Sequence, residues 1–173
     1  MAVSYSCIPK EERDKRYDYD YTGEKGKGFK RGDRHFYRPY GWKKIALRVE
    51  GKYDNDDWFG PGLRGDERES LDGEWPVSYH GPKDHNTIPA IIRNGYDLSK
   101  IERQMFGRGI YSSPYPDVAE EYAEEFYYNG KLIKLMFMNR VHMSCTKERN
   151  GDRYYVTYDD TKIRPIAVLV KKV

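Results

Sequence analysis

The chain has 173 residues, 31 Lys and Arg against 28 Asp and Glu, a net charge of +3, 17 tyrosines and two cysteines. That length holds one domain with a real core, and the small basic excess does not by itself mark a nucleic-acid binder. Cys7 and Cys145 have neither metal spacing nor a disulfide framework, no apolar run approaches the roughly 20 residues that span a bilayer, and charge from Lys10 onward leaves no signal-peptide core, so the chain reads as soluble and intracellular, in cytoplasm or nucleus, with no membrane partner.

Residues 1–38 are charged and rich in Gly and Tyr, with Tyr17-Asp18-Tyr19-Asp20-Tyr21 followed by basic residues among glycines. No helical or strand period survives there, so the segment reads as a flexible arm or an irregular wrap over a domain spanning 39–173. A nucleic-acid reading of the arm puts Lys25, Lys27, Lys30, Arg31 and Arg34 on phosphates and aromatic rings on bases, although acidic residues interrupt the basic run. Arg-Gly-Asp occurs at Arg31 and again at Arg64. Adhesion through it requires an extracellular protein, so both read as chance.

The pattern sharpens from residue 39. Residues 43–50 alternate, with Ile45, Leu47 and Val49 on one face, which predicts a half-buried strand. Residues 54–73 are loop, with Trp58 and Phe59 as a hydrophobic plug. Trp75-Pro76-Val77-Ser78-Tyr79-His80-Gly81 predicts a strand over 75–80 ending on an imidazole, with a glycine that permits close backbone approach.

Residues 83–94 predict a short helix, capped by Asp84 or Asn86 and stopped by Gly95. After a connector, Gly107-Arg108-Gly109-Ile110-Tyr111-Ser112-Ser113 leads into a short strand and a proline. The third glycine and the helix of a dinucleotide fingerprint are missing, which sets that fold aside. Residues 116–128 predict the clearest helix, with Val118, Ala119, Tyr122, Ala123 and Phe126 on its apolar face and Asn129-Gly130 as its stop. Residues 131–138, 154–158 and 163–170 predict strands, the first covered on both faces. The count is five to seven strands and two helices in an α+β domain. His85 and His142 read as surface or loop histidines.

Taken in order, Tyr79-His80-Gly81, a short helix, the Gly107 to Ser113 motif, a helix carrying Ala119 and Tyr122, and the strand Tyr155-Val156-Thr157-Tyr158 resemble a known set. It is that of the poly(ADP-ribose) polymerase-like ADP-ribosyltransferases, the diphtheria-toxin-like branch with a His-Tyr-Glu triad. The resemblance covers about residues 75–172. It implies an α+β fold of two small, mainly antiparallel sheets enclosing a groove for NAD+ as co-substrate, with no metal.

In that likeness His80 bonds a ribose hydroxyl and the Gly81 backbone holds the nicotinamide carboxamide. Tyr111 lies under one face of the nicotinamide, Tyr122 covers the other from the helix, and Ser113 and Ala119 complete the cofactor-binding set. Ala119 stands where many members carry a serine that bonds the carboxamide, a bond its methyl cannot make. The triad glutamate is missing: one alignment puts Tyr154 at its position, a shift by one puts Arg153 there, and the nearest acids are Asp152 and Glu148. The resemblance therefore implies mono-ADP-ribosyl transfer to a macromolecular acceptor, a protein or a nucleic acid, rather than polymer formation. The alternatives are a weak or inactive NAD+- or ADP-ribose-binding module, and a nucleic-acid-binding or -modifying protein that uses the arm.

Overall fold

The two most apolar runs, 131–141 and 163–172, lie side by side at the centre of the protein, since a strand covered on both faces needs near-continuous hydrophobic sequence. A computed structural model describes residues 8–60 and 66–173. Cys7 and the Arg64-Gly65 part of the second Arg-Gly-Asp lie outside the described residues. In chain order the elements are β1 (Tyr19–Asp20), β2 (Lys30–Arg31), β3 (Arg34–His35), β4 (Lys43–Ala46), β5 (Val77–His80), α1 (Ile88–Asn94) and β6 (Ile110–Ser112). They continue as α2 (Pro116–Glu120), β7 (Glu125–Tyr128), β8 (Lys131–Val141), β9 (Thr146–Arg149), β10 (Tyr154–Thr157) and β11 (Ile163–Lys172).

Every strand pairing among them is antiparallel. The main sheet has the order β1-β4-β11-β8-β5, with β7 also on β8. One edge of β8 pairs with β11. Its other edge is shared, with β7 on Lys131 to Lys134 and β5 on Phe137 to Arg140. A second sheet runs β6-β10-β9, and β2-β3 form a separate hairpin. The architecture is α+β, with two short α-helices against antiparallel sheets. No helix among the described residues is long and apolar enough to cross a membrane.

The main core lies on the large sheet and includes Trp42, Ile45, Trp58, Tyr79, Phe137 and Leu169. A smaller cluster of Tyr96, Ile110, Val141, Tyr155 and Ile163 joins the two sheets. Trp58 and Phe59 are buried, and Arg164 lies over the faces of Tyr53, Trp58 and Trp75, which ties the aromatic loop to β11.

Several elements differ from expectation. Among the described residues the eleven strands exceed the five to seven predicted, because β1, β2 and β3 are two residues each, β7 falls within the predicted helix and β9 lacks an apolar face. The helix predicted over 83–94 becomes an α-helix only at Ile88. Pro89 lacks an N–H and is tolerated only in a first turn, so a 3-10 turn precedes it, capped by Asp84 on the Asn86 N–H. Gly95, at φ +75°, ends it as expected. The strand predicted over 43–50 stops at Ala46, where the β11 register shifts, yet Leu47 and Val49 remain buried.

The largest correction is the helix predicted over 116–128, which ends at Glu120. Asn129 (φ +47°) and Gly130 (φ +74°) form a tight hairpin turn that pairs residues 125–128 with the start of β8. Ladder hydrogen bonds and burial of Phe126 against the core outweigh the helical spacing. Tyr122 therefore lies beyond the helix, in a turn held by Tyr122 N–H to Ala119 O (3.1 Å) and Ala123 N–H to Glu120 O (3.1 Å).

Residues 8–38 wrap the domain. Ile8, Tyr21 and Phe36 belong to the main core, and β1 extends the large sheet. Arg31 pairs with Glu67, Arg34 with Glu148 and Arg38 with Glu24. The Arg38 guanidinium also lies 3.8 Å over the Phe29 ring. Lys25, Lys27 and Lys30 remain exposed.

Candidate functional site

The strand β5 has a different neighbour on each edge. One edge follows β8 over four residues, and the other meets β6 at a single point, where Tyr79 and Ser113 exchange N–H···O bonds of 2.7 and 2.9 Å. Two residues further on, strand alternation turns the N–H and C=O of Gly81 toward the β6 side. Their sheet counterpart would be Tyr111, but the strands have diverged, and the Tyr111 carbonyl is taken by His80 Nδ1 at 2.7 Å. Among the described residues no hydrogen bond engages the Gly81 backbone. The divergence of β5 from β6 thus leaves the Gly81 peptide edge unpaired beside the Tyr79–Ser113 bridge.

A cavity of about 300 Å³ opens at this point. It is lined by His80 and Gly81 from the end of β5, Tyr111, Ser112 and Ser113 from β6 and its end, and Val118 and Ala119 from α2. Tyr122 and Tyr154 close one side, Gln104, Met105 and Phe106 another, and Lys83 stands at the rim. Of the residues singled out in the sequence, His80, Gly81, Tyr111, Ser113, Ala119, Tyr122 and Tyr154 come together here, while Arg153 does not line the cavity.

His80 is half-buried, and burial holds its imidazole below the usual histidine range against the opposing pull of the Tyr111 carbonyl. A carbonyl only accepts, so Nδ1 carries the proton and the neutral ring leaves Nε2 as an acceptor. The Tyr111 hydroxyl is committed in both directions. It donates to Gly107 O at 2.8 Å and accepts from Phe106 N–H at 2.7 Å, which fixes the 104–107 loop over the cavity. Burial pushes the pKa of this phenol above the usual tyrosine range. The ring stacked near Tyr111 is Phe106, at 6.3 Å and 18°.

Tyr122 and Tyr154 share one hydrogen bond, Oη to Oη at 3.2 Å, with rings 6.4 Å apart at 73°. The bond shared with Tyr122, with help from Arg153, holds the Tyr154 phenol below its usual range, and the same shared bond raises the Tyr122 phenol. Arg153 stands behind Tyr154, with Nε 3.5 Å from its Oη and a guanidinium nitrogen 3.6 Å from the Glu121 carboxylate. Its carbonyl accepts from Ser113 Oγ at 2.6 Å, so that serine is committed to the scaffold.

No lining residue is acidic. Asp152 accepts from Tyr115 Oη at 2.9 Å, and Glu148 pairs with Arg34, so both nearby acids are engaged elsewhere. Gly81 serves the scaffold as well as the cavity. A Cβ there would lie 2.1 Å from Ala119 O and 2.8 Å from Ala123 N, so the missing side chain lets the end of α2 rest on β5.

Sequence reasoning missed Lys83, Gln104, Met105 and Phe106. Met105 and Phe106 are an apolar pair in a polar connector, a local signal for a capping loop, and Lys83 and Gln104 carry no signal of their own. Asp84, His85 and Glu124 each bring one potential ligand atom within 4.8 Å of the others, but His85 Nδ1 already contacts Glu124 at 2.7 Å, and its ring stacks on Phe126 at 4.0 Å. His85 is thus a half-buried partner of β7, and His142 caps the turn after β8 through Ser144 N–H.

No protein-family model matches this sequence, and no curated protein matches it.

Proposed function

We propose that the cavity binds the nicotinamide end of NAD+ and that the protein is a mono-ADP-ribosyltransferase, built on an ADP-ribosyltransferase-like fold and acting on a macromolecular acceptor. The observation that carries this reading is the unpaired Gly81 peptide edge beside the neutral His80 ring, in one cavity with Tyr111 and Tyr122. An unpaired N–H and C=O on one residue match the carboxamide of nicotinamide, which has one acceptor and one donor side. The Nε2 lone pair of His80 suits a ribose hydroxyl. The phenol and phenyl faces suit a flat cation, and Lys83 places positive charge at the rim, where a diphosphate would emerge.

The reaction breaks a glycosidic bond through a cationic, oxocarbenium-like state, as in glycoside hydrolysis. The residues present act by holding the dinucleotide and excluding water. Chain elongation calls for a carboxylate to activate an acceptor hydroxyl, and no lining residue supplies one. That same absence favours a second reading, an NAD+-binding module without turnover.

Incubation with NAD+ labelled in the nicotinamide is expected to release free nicotinamide, and His80→Ala to lower the rate about a hundredfold through lost positioning. Binding without release selects the module. No heat of NAD+ binding by calorimetry removes both readings.

A further inference from the structure

We propose that the acceptor is the protein itself, at Tyr154: its phenol oxygen takes the ADP-ribosyl group inside the cavity. The inference rests on the NAD+ reading of the cavity and adds the destination of the transferred group.

An inventory of lining nucleophiles leads to this residue. Ser113 Oγ donates to Arg153 O and accepts from Tyr115 N–H. Ser112 is 5% exposed, with its Oγ sealed from the surface. Tyr79 is fully buried and donates to Tyr37 O. Tyr111 Oη donates and accepts within the 104–107 loop. The Lys83 ammonium at the rim has no lone pair to give. His80 Nε2 is set on a ribose hydroxyl in the NAD+ reading, so the Tyr122 and Tyr154 hydroxyls remain, joined by a single bond of 3.2 Å.

Within that pair the roles differ. Either hydroxyl can donate in the shared bond, but the guanidinium sets them apart: Arg153 Nε lies 3.5 Å from the Tyr154 oxygen, where its charge favours a negative phenolate, and makes no such contact with Tyr122. Tyr122 is the supporting phenol and Tyr154 the electron-rich one. A carboxylate usually traps the cationic sugar in glycosyl displacement, but a tyrosine takes that place in some glycosidases. Here no carboxylate lines the cavity, and a phenol does.

The step balances without an added reagent beyond NAD+. A bond forms between Tyr154 Oη and the anomeric carbon of the nicotinamide ribose, and the carbon–nitrogen bond to the pyridinium breaks. The electron pair leaves with neutral nicotinamide, and the phenol proton passes to water at the cavity mouth. The product fills the site that made it, so the reaction stops after one event per chain.

The test is incubation of the full chain with NAD+, followed by intact-protein mass, peptide mapping and quantitation of nicotinamide. The expected result is one ADP-ribosyl adduct on the peptide carrying Tyr154, with a burst of one equivalent of nicotinamide. Tyr154→Phe should bind NAD+ yet form no adduct, and Tyr122→Phe should form the same adduct more slowly. An adduct elsewhere, or continuing nicotinamide release with Tyr154 unmodified, overturns the inference and leaves the NAD+ reading standing, as does NAD+ binding without any release. Failure of the wild-type chain to bind NAD+ overturns both.

Discussion

At His80 two effects oppose each other. Burial favours the neutral ring, the bond to the Tyr111 carbonyl favours the protonated one, and burial wins. A histidine whose folded value lies below its ordinary 6.5 binds its proton more tightly when unfolded, so stability is full above that value and lost as pH falls below it. Urea midpoints from pH 8 to 5 should therefore drop below about 6.5 in the wild type, and the drop should shrink in His80→Asn. Equal slopes in the two proteins would show that His80 is not the group responsible. At this scale much of the site was legible. A histidine at a strand end, a glycine after it and tyrosines in a fixed order are local signals, and the structure gathers them into one cavity. What was not legible is each group's state. The proton on Nδ1 and the shared bond of Tyr122 and Tyr154 depend on partners 31 and 32 residues away. The acids nearest in sequence, Asp152 and Glu148, turn out to serve Tyr115 and Arg34.

Among the elements, α2 and β5 meet with no room for a side chain between them. The backbone at the end of the helix rests on the bare Cα of Gly81, the residue that follows β5. Gly81→Ala has nowhere to put its methyl. Relief requires moving either the turn at Ala119 to Ala123 or β5 itself, and overpacking of this kind costs about 1–3 kcal/mol. The variant should lose that stability in urea and lose NAD+ binding with it, and an unchanged midpoint would mean that the contact yields freely. The helix overrun at 116–128 teaches a related lesson. Val118, Ala119, Tyr122 and Phe126 satisfy a helical period, but Phe126 and Tyr128 also satisfy a strand's alternation. Asn129-Gly130 is equally a helix stop and a hairpin turn. Only pairing with β8 decides between them, and a strand that is visible in the sequence does not say which segment pairs with it. Where one reading existed, as in 131–138 and 163–170, the predicted strands agree with the observed ones to within a few residues.

For the whole molecule, the first segment is structural. Ile8, Tyr21 and Phe36 are buried in the main core, and Gly32 rests on Pro76, where an added Cβ would lie 2.4 Å from the proline nitrogen. Burying each such side chain is worth roughly 1.5–3 kcal/mol, against a total stability of about 5–15 kcal/mol for a domain. Removing residues 1–38 should abolish cooperative unfolding, measured by circular dichroism in urea, and a remainder that melts like the full chain would show the wrap to be dispensable. Its composition concealed this because its buried residues follow no period and sit among charges that pair across the fold. The central strand has another kind of effect. β11 is bonded along both edges, to β4 and to β8, yet of the described strands it leaves the ribosome last. Until residue 163 emerges, β4 and β8 cannot be joined and their inner edges stay open to other chains. Assembly of the large sheet thus waits for β11, and a chain that has made β4 and β8 but not yet β11 carries two open edges prone to pairing with a neighbour.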